Sequence, residues 1–183
     1  MEYLDIVDEN GVPTGEQIER RIAHEQGIRH RTSHVWLFRK KNDELQVLLQ
    51  KRCLQKDSFP GCYDISSAGH IPAGVDFIPS AIRELKEELG IDVLPGELVY
   101  CGQRKFTFEQ QFHGKLFKDC QISNVYLLWK DLEVEEFKLQ ESEIEEVIWM
   151  NFEECIEKVT KNQIPHCIFL EELQILKPKI YSV

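Results

Sequence analysis

Gly69-His70-Ile71-Pro72-Ala73-Gly74-Val75, followed by Arg83-Glu84-Leu85-Lys86-Glu87-Glu88-Leu89-Gly90-Ile91, decides how this chain is read. The second stretch places Glu84, Glu87 and Glu88 three and four residues apart, spacings that share one face of a helix. Like charges so placed repel by a few tenths of a kcal/mol. A hard divalent cation removes that repulsion, because such ions prefer carboxylate oxygen. The pattern therefore points to a metal-binding helix. Asp76 is the expected N-cap, Pro79 falls in the first turn where it is tolerated, and Gly90 is the expected stop. The helix is thus expected over 77–89, with Ile78, Ile82, Leu85 and Leu89 as its apolar stripe.

Working outward, Leu4, Ile6 and the Asn10-Gly11 turn predict a short hairpin, and Glu16 to Glu25 a short helix ending near Gly27. Strands are expected at 34–38, 45–50, 63–66, 98–102, 104–108, 122–129 and 145–149. Helices are expected at 152–160, capped by Asn151, and at 168–176. Phe106, Phe108 and Phe112 are expected mainly in the core, with stacking on a base or lining an apolar pocket as the alternative.

The 183 residues suit one domain able to bury a core without staples. A hydrophobic share of 42% argues against disorder, and a net charge of −10 disfavours a nucleic-acid polymer as partner. The six cysteines include no C-x-x-C pair, which leaves a structural zinc site or a thioredoxin-type motif without support. Neither a signal segment nor an apolar run near the ~20 residues that span a bilayer is visible. A cytoplasmic protein with free thiols and no membrane partner is the expectation.

The two stretches together resemble the Nudix box, G-x5-E-x7-R-E-U-x-E-E-x-G-U, with U a bulky aliphatic residue. Gly69, Arg83, Glu84, Leu85, Glu87, Glu88, Gly90 and Ile91 match, and Val75 stands where the box has its isolated glutamate. Asp76 is next to it, one residue out of place. The resemblance implies an α+β fold of the α/β/α sandwich kind, a mixed sheet between helices, forming a single Nudix domain over 1–183. It implies a Mg²⁺-dependent (or Mn²⁺-dependent) diphosphohydrolase whose metal is held by Gly69, through its carbonyl, with Glu84, Glu87 and Glu88. Arg83 would pair with a carboxylate of the box. A general base has no fixed place in the family; Glu141, Glu143 and Glu145 are candidates, with Glu143 at their centre. The implied partner is a small diphosphate, a nucleoside diphosphate or its derivative first and a prenyl diphosphate next. A homodimer is a further expectation from the family.

Within that superfamily the chain is similar to the branch that includes isopentenyl-diphosphate isomerase. Residues 1–30 look like its N-terminal extension, and Leu48 to Arg52 and Lys56 to Gly61 look like its sequence before Gly-His. That similarity implies diphosphate contacts by Arg20, Arg52 and Lys56, and a second metal near His30 and His70; His24 and His30 stand one residue closer together than that branch expects. The isomerase moves protons on carbon with a cysteine and a glutamate. Ala68 stands at the first place and Gln121 at the second, and neither titrates. Each positioned acid or base is typically worth 10²–10⁴-fold, so hydrolysis is expected over isomerisation. A non-catalytic diphosphate-binding or nucleotide-binding module is the remaining alternative, to which Val75 gives weight.

Overall fold

The computed structural model describes residues 1–181. The Asn10-Gly11 turn closes a separate hairpin of β1 (Tyr3–Val7) and β2 (Pro13–Glu19). Pairing with β1 holds 13–19 as a strand, so helix α1 (Arg20–Gln26) starts four residues later than its polar pattern suggests, and it ends at Gly27 in the left-handed region. A mixed sheet follows, from β3 (His30–Lys41), β4 (Glu44–Arg52), β5 (Tyr63–Asp64), β6 (Ser67–His70), β7 (Val99–Phe112), β8 (Lys115–Trp129) and β9 (Ile144–Asn151). Its order is β5-β4-β3-β8-β7, with β3 and β8 parallel and β9 on β4.

The sheet forks. β3 pairs with β4 only from Phe38 to Lys41, and its first half pairs with β6 instead. Ser66 spans the fork: its hydroxyl accepts from Leu37 N at 2.8 Å and donates to Leu48 O at 2.6 Å. One sheet face carries α2 (Phe77–Leu89) through Val35, Leu37, Leu48, Leu85 and Leu89. The other carries α3 (Phe152–Thr160) and α4 (Leu170–Ile180) through Trp36, Phe38, Leu127, Phe152 and Leu176. This is the expected mixed sheet between helices.

Helix α2 begins and ends where its caps predict, but its buried stripe is turned. Ile78 is 37% exposed, while Ser80, Ala81 and Glu88 join Leu85 and Leu89 inside. Facing Glu88 to the sheet rotates the helix away from the purely apolar stripe. The expected strands at 98–102 and 104–108 are one strand: Gly102 pairs with Val125, and the sheet absorbs the irregularity as a bulge at Cys101. The expected strand at 63–66 is two short ones at 63–64 and 67–70.

α4 is tied down by a buried ionic network. Glu172 accepts from His34 Nδ1 at 2.6 Å, Trp36 Nε1 at 2.9 Å and Arg104 Nη1 at 3.0 Å. Burial pushes the Glu172 carboxyl up, but His34 and Arg104 outweigh it and hold the pKa at about 2. Burial pushes His34 down, but Glu172 outweighs it and raises His34 above 6.5. The Glu172 contribution is present above its unfolded value of 4.5 and lost as pH falls toward about 2. The His34 contribution is complete below 6.5 and lost as pH rises through its raised folded value. Glu172→Gln leaves His34 and Arg104 without their counter-charge, and a loss of about 3–5 kcal/mol is expected in urea unfolding. The wild-type minus variant difference should be largest between pH 4.5 and 6.5. A difference that does not shrink as pH falls below 4.5 or rises above 6.5 would show that the network does not act as charged groups.

Candidate active site

The box helix is set by local chemistry. Asp76 Oδ1 accepts from Phe77 N at 2.8 Å, so its carboxylate is spent as the cap and does not stand in for the glutamate missing at Val75. Two turns in, Glu84 packs directly on Gly69: a Cβ built there would lie 2.3 Å from Glu84 Cδ. Glu88 is 6% exposed and accepts from Ser67 Oγ at 2.8 Å. Glu87 shares the face but stays exposed, and Arg83 joins the two outer carboxylates, at 2.6 Å to Glu84 and 3.1 Å to Glu87.

Burial, helped by the nearby Glu87 and opposed by Arg83, lifts Glu84 to about 7. Burial and the charge of Glu84 lift Glu88 to about 8. The half-buried Glu84 carboxyl packed on Gly69 and the buried Glu88 carboxyl, whose pKa the charge of Glu84 raises, offer oxygen donors of the kind a hard divalent ion takes. Glu84, Glu87 and Glu88 are not drawn into one tight cluster: among the described residues, the ligand atoms that converge within 4.8 Å are those of His24, His30 and His70.

Gly69 also belongs to the wall of a cavity of about 940 Å³. Arg20, Arg52, Lys56 and Glu143 line it too, while Glu141 and Glu145 are exposed. Each of these basic groups has a partner. Arg20 pairs with Glu2 at 3.0 Å, and Lys56 bonds directly to Glu143. Arg52 donates to Ser58 O and to Asp64 at 3.0 Å, which commits three of its nitrogens to the loop it supports. Arg20 and Lys56 each hold a single ion pair, whereas Arg52 is committed to Ser58 and Asp64.

Beside them three histidines meet. His24, His30 and His70 place ring nitrogens within 4.8 Å of one another. His30 Nδ1 bonds Ile28 O at 2.8 Å and His24 Nδ1 lies 3.2 Å from Lys118 O. Those bonds put the ring protons of His24 and His30 on Nδ1 and leave a lone pair on their Nε2, and the His24 Nε2 accepts from His70 Nε2 at 3.0 Å. Burial is the first cause holding all three rings below their ordinary pKa, with His24 at about 3. Asp119 Oδ1 stands 3.6 Å from His30 Nε2, and both atoms are buried without a hydrogen-bond partner. The resemblance to the isomerase drew attention to His30 and His70. Asp119 gave no sequence signal, because α1, β3, β6 and β8 bring the four residues together from distant positions. Gln121, two residues on, accepts from Thr32 at 2.6 Å and donates to Asp119, so its amide is fixed.

The cavity's other wall is aromatic. Phe59, Phe106, Phe108, Phe112, Phe117 and Phe169 touch ring to ring and join neither core cluster. The core expectation for Phe106, Phe108 and Phe112 is thus corrected. These strands run past the helices that would cover them, and of these rings all but Phe108 line the cavity.

Residues 28–171 match the family model described as the NUDIX domain. The chain belongs to the Nudix family. The Nudix chain is 35% identical over 153 residues to an uncharacterized Nudix hydrolase of Clostridium acetobutylicum, covering 84% of this chain and 71% of that one. It is 34% identical over 104 residues to isopentenyl-diphosphate Delta-isomerase of Escherichia coli, 56% of this chain and 55% of that one. The crystal structure of DR0079 from Deinococcus radiodurans shares the Nudix fold at a TM-score of 0.69, with 21% identity over 94% of this chain and 96% of that one.

Two outcomes are expected at the box. Gly69→Ala drives its methyl into Glu84 and should abolish Mg²⁺ binding measured by calorimetry, with the fold retained by circular dichroism. Because Glu84 and Glu88 carry protons at values of about 7 and 8, Mg²⁺ uptake at pH 7 should release protons, and affinity should climb from pH 6 to 8. Calorimetry in buffers of different ionisation enthalpy reads the release; none would contradict the carboxyl assignment.

Proposed function

We infer that this Nudix chain is a Mg²⁺-dependent hydrolase that cleaves a diphosphate linked to a second, organic group. The observation carrying this reading is the packing of Glu84 on Gly69, with Glu88 buried on the same helix, where Gly69 itself lines the wall of a cavity that holds exchangeable basic side chains. A bound divalent ion supplies charge compensation for the diphosphate oxygens. Gly69, Glu84 and Glu88 hold it, with Glu87 completing the set and Arg83 fixing the outer carboxylates. Mn²⁺ suits the same oxygen donors.

Arg20 and Lys56 exchange their carboxylate partners for phosphate oxygens and orient the diphosphate, and Arg52 keeps the Lys56 loop in place. When phosphate draws Lys56 away, Glu143 is freed as a base at the cavity wall. It takes the proton of the attacking water as the oxygen bonds to phosphorus; the bridging P–O bond breaks and a phosphate leaves. The phenylalanine wall receives the organic group, a nucleobase by stacking or a prenyl chain by apolar burial.

Isomerisation is the second reading, favoured by the cluster of His24, His30, His70 and Asp119, whose neutral imidazoles and carboxylate suit a second divalent ion. Ala68, in the cavity wall, and the fixed amide of Gln121 offer no acid or base for carbon.

Phosphorus NMR in ¹⁸O-water tests the choice, with nucleoside diphosphates, nucleotide sugars and isopentenyl diphosphate as substrates. Metal-dependent release of ¹⁸O-labelled phosphate or phosphorylated product is expected. Glu84→Gln and Glu88→Gln should each lower kcat at least about 100-fold, and Glu143→Gln by about 10²–10⁴-fold if it is the base. Conversion of isopentenyl diphosphate to its isomer without phosphate release would decide for the second reading.

A further inference from the structure

The loop between β6 and α2 carries Gly69 at one end and the cap of the box helix at the other, and Val75 brings no carboxylate to it. Its hold comes from outside the box. Asp5 of β1 reaches across, and its Oδ2 accepts from Gly74 N at 2.9 Å. The same oxygen accepts from Arg31 Nη2 at 3.1 Å, and that nitrogen also donates to Val75 O at 2.9 Å. Asp5 and Arg31 are each 8% exposed. The Arg31 guanidinium also lies 5.2 Å from the ring of Phe77, the first residue of α2.

The main chain repeats the connection. Ala73 N donates to Tyr3 O at 2.8 Å, Ile71 N donates to Arg31 O at 3.0 Å, and Leu4 bridges Pro72. Every residue from Ile71 to Val75 is thereby tied, directly or through its neighbour, to β1 or to Arg31. Removing one partner of a buried, hydrogen-bonded ion pair leaves the other without compensation. The loop that sets Gly69 against Glu84 is the segment that would relax.

We propose that Asp5 and Arg31 are positioning residues for the metal site: a carboxylate borrowed from the N-terminal hairpin, with its arginine, holds the box loop where this chain has Val75 in place of the box glutamate. The proposal rests on the metal assignment to Gly69, Glu84 and Glu88, but not on the reaction that follows. Neither residue touches the metal or the substrate. Their effect passes through the backbone of residues 71–75 to Gly69 and to the start of α2.

The test is Mn²⁺ binding to the full chain by electron paramagnetic resonance and calorimetry, well below the melting temperature. Only the Mn²⁺ signal that Glu84→Gln removes is counted, which separates the box from the histidine cluster. Asp5→Asn and Arg31→Met are each expected to weaken that signal's affinity at least about tenfold, comparable with the loss of groups that orient metal ligands. The double variant should be no weaker than the worse single one, since both break one brace. Arg31→Lys, which keeps one donor and the charge, should fall between. Raised Mg²⁺ should restore kcat in both single variants, with KM for substrate at saturating metal unchanged.

A lowered melting temperature with wild-type Mn²⁺ affinity would overturn the proposal, leaving the pair a purely structural brace. Absence of a Glu84-dependent Mn²⁺ signal in the wild type would overturn it as well. Wild-type Mn²⁺ binding that is sensitive to Asp5 and Arg31, without hydrolysis of any diphosphate, would support the brace and sink the hydrolase reading alone.

Discussion

The contact between the Glu84 carboxyl and the bare Cα of Gly69 is the constraint around which the rest is arranged. A methyl added to Gly69 would sit 2.3 Å from Glu84 Cδ, so any other residue there displaces the Glu84 carboxyl. Glu88, one turn further along α2, is buried. Burying two carboxyls on one helix face is costly in a chain without a cation, and their pKa values of about 7 and 8 express that cost. A fold built this way stores electrostatic repulsion, which the proposed divalent ion would relieve.

α2 packs Glu84 against Gly69, and Gly69 in turn lines a cavity together with cationic groups, imidazoles and aromatic rings. The fork between β3 and β4 makes this possible, because backbone groups that a continuous ladder would use are satisfied by Ser66 and by β6. The N-terminal hairpin and α1 then act as parts of the site: α1 brings Arg20 and His24, and β1 grips the box loop through Asp5.

Much of this was legible in the sequence where local chemistry decides. Asp76, Gly90 and the spacing of the glutamates placed α2 to the residue, and Asn151 did the same for the start of α3, whose Oδ1 accepts from Glu153 N and Glu154 N. Tertiary pairing defeated the reading elsewhere. Residues 16–19 look helical in isolation but lie against β1, and Gly102 looks like a break but is paired in a long hairpin beside a bulge at Cys101. At the site, the box carried its own motif, whereas Asp119 joins the histidines only through the parallel pairing of β3 and β8. The phenylalanines show an apolar pattern that fits core and cavity wall equally well, and only the absence of a helix above them separates the two. The isomerase-like positions Arg20, Arg52 and Lys56 do line one cavity, but sequence had no means of showing that Arg52 spends its donors on Ser58 and Asp64.

Anomalous diffraction from crystals soaked in Mn²⁺ tests the central claim most directly. The account predicts a peak within bonding distance of the Gly69 carbonyl and the Glu84 and Glu88 carboxylates, with any second peak among His24, His30 and His70. A peak at the histidines alone, with Glu84 and Glu88 still bare at pH 8 and saturating metal, would contradict it.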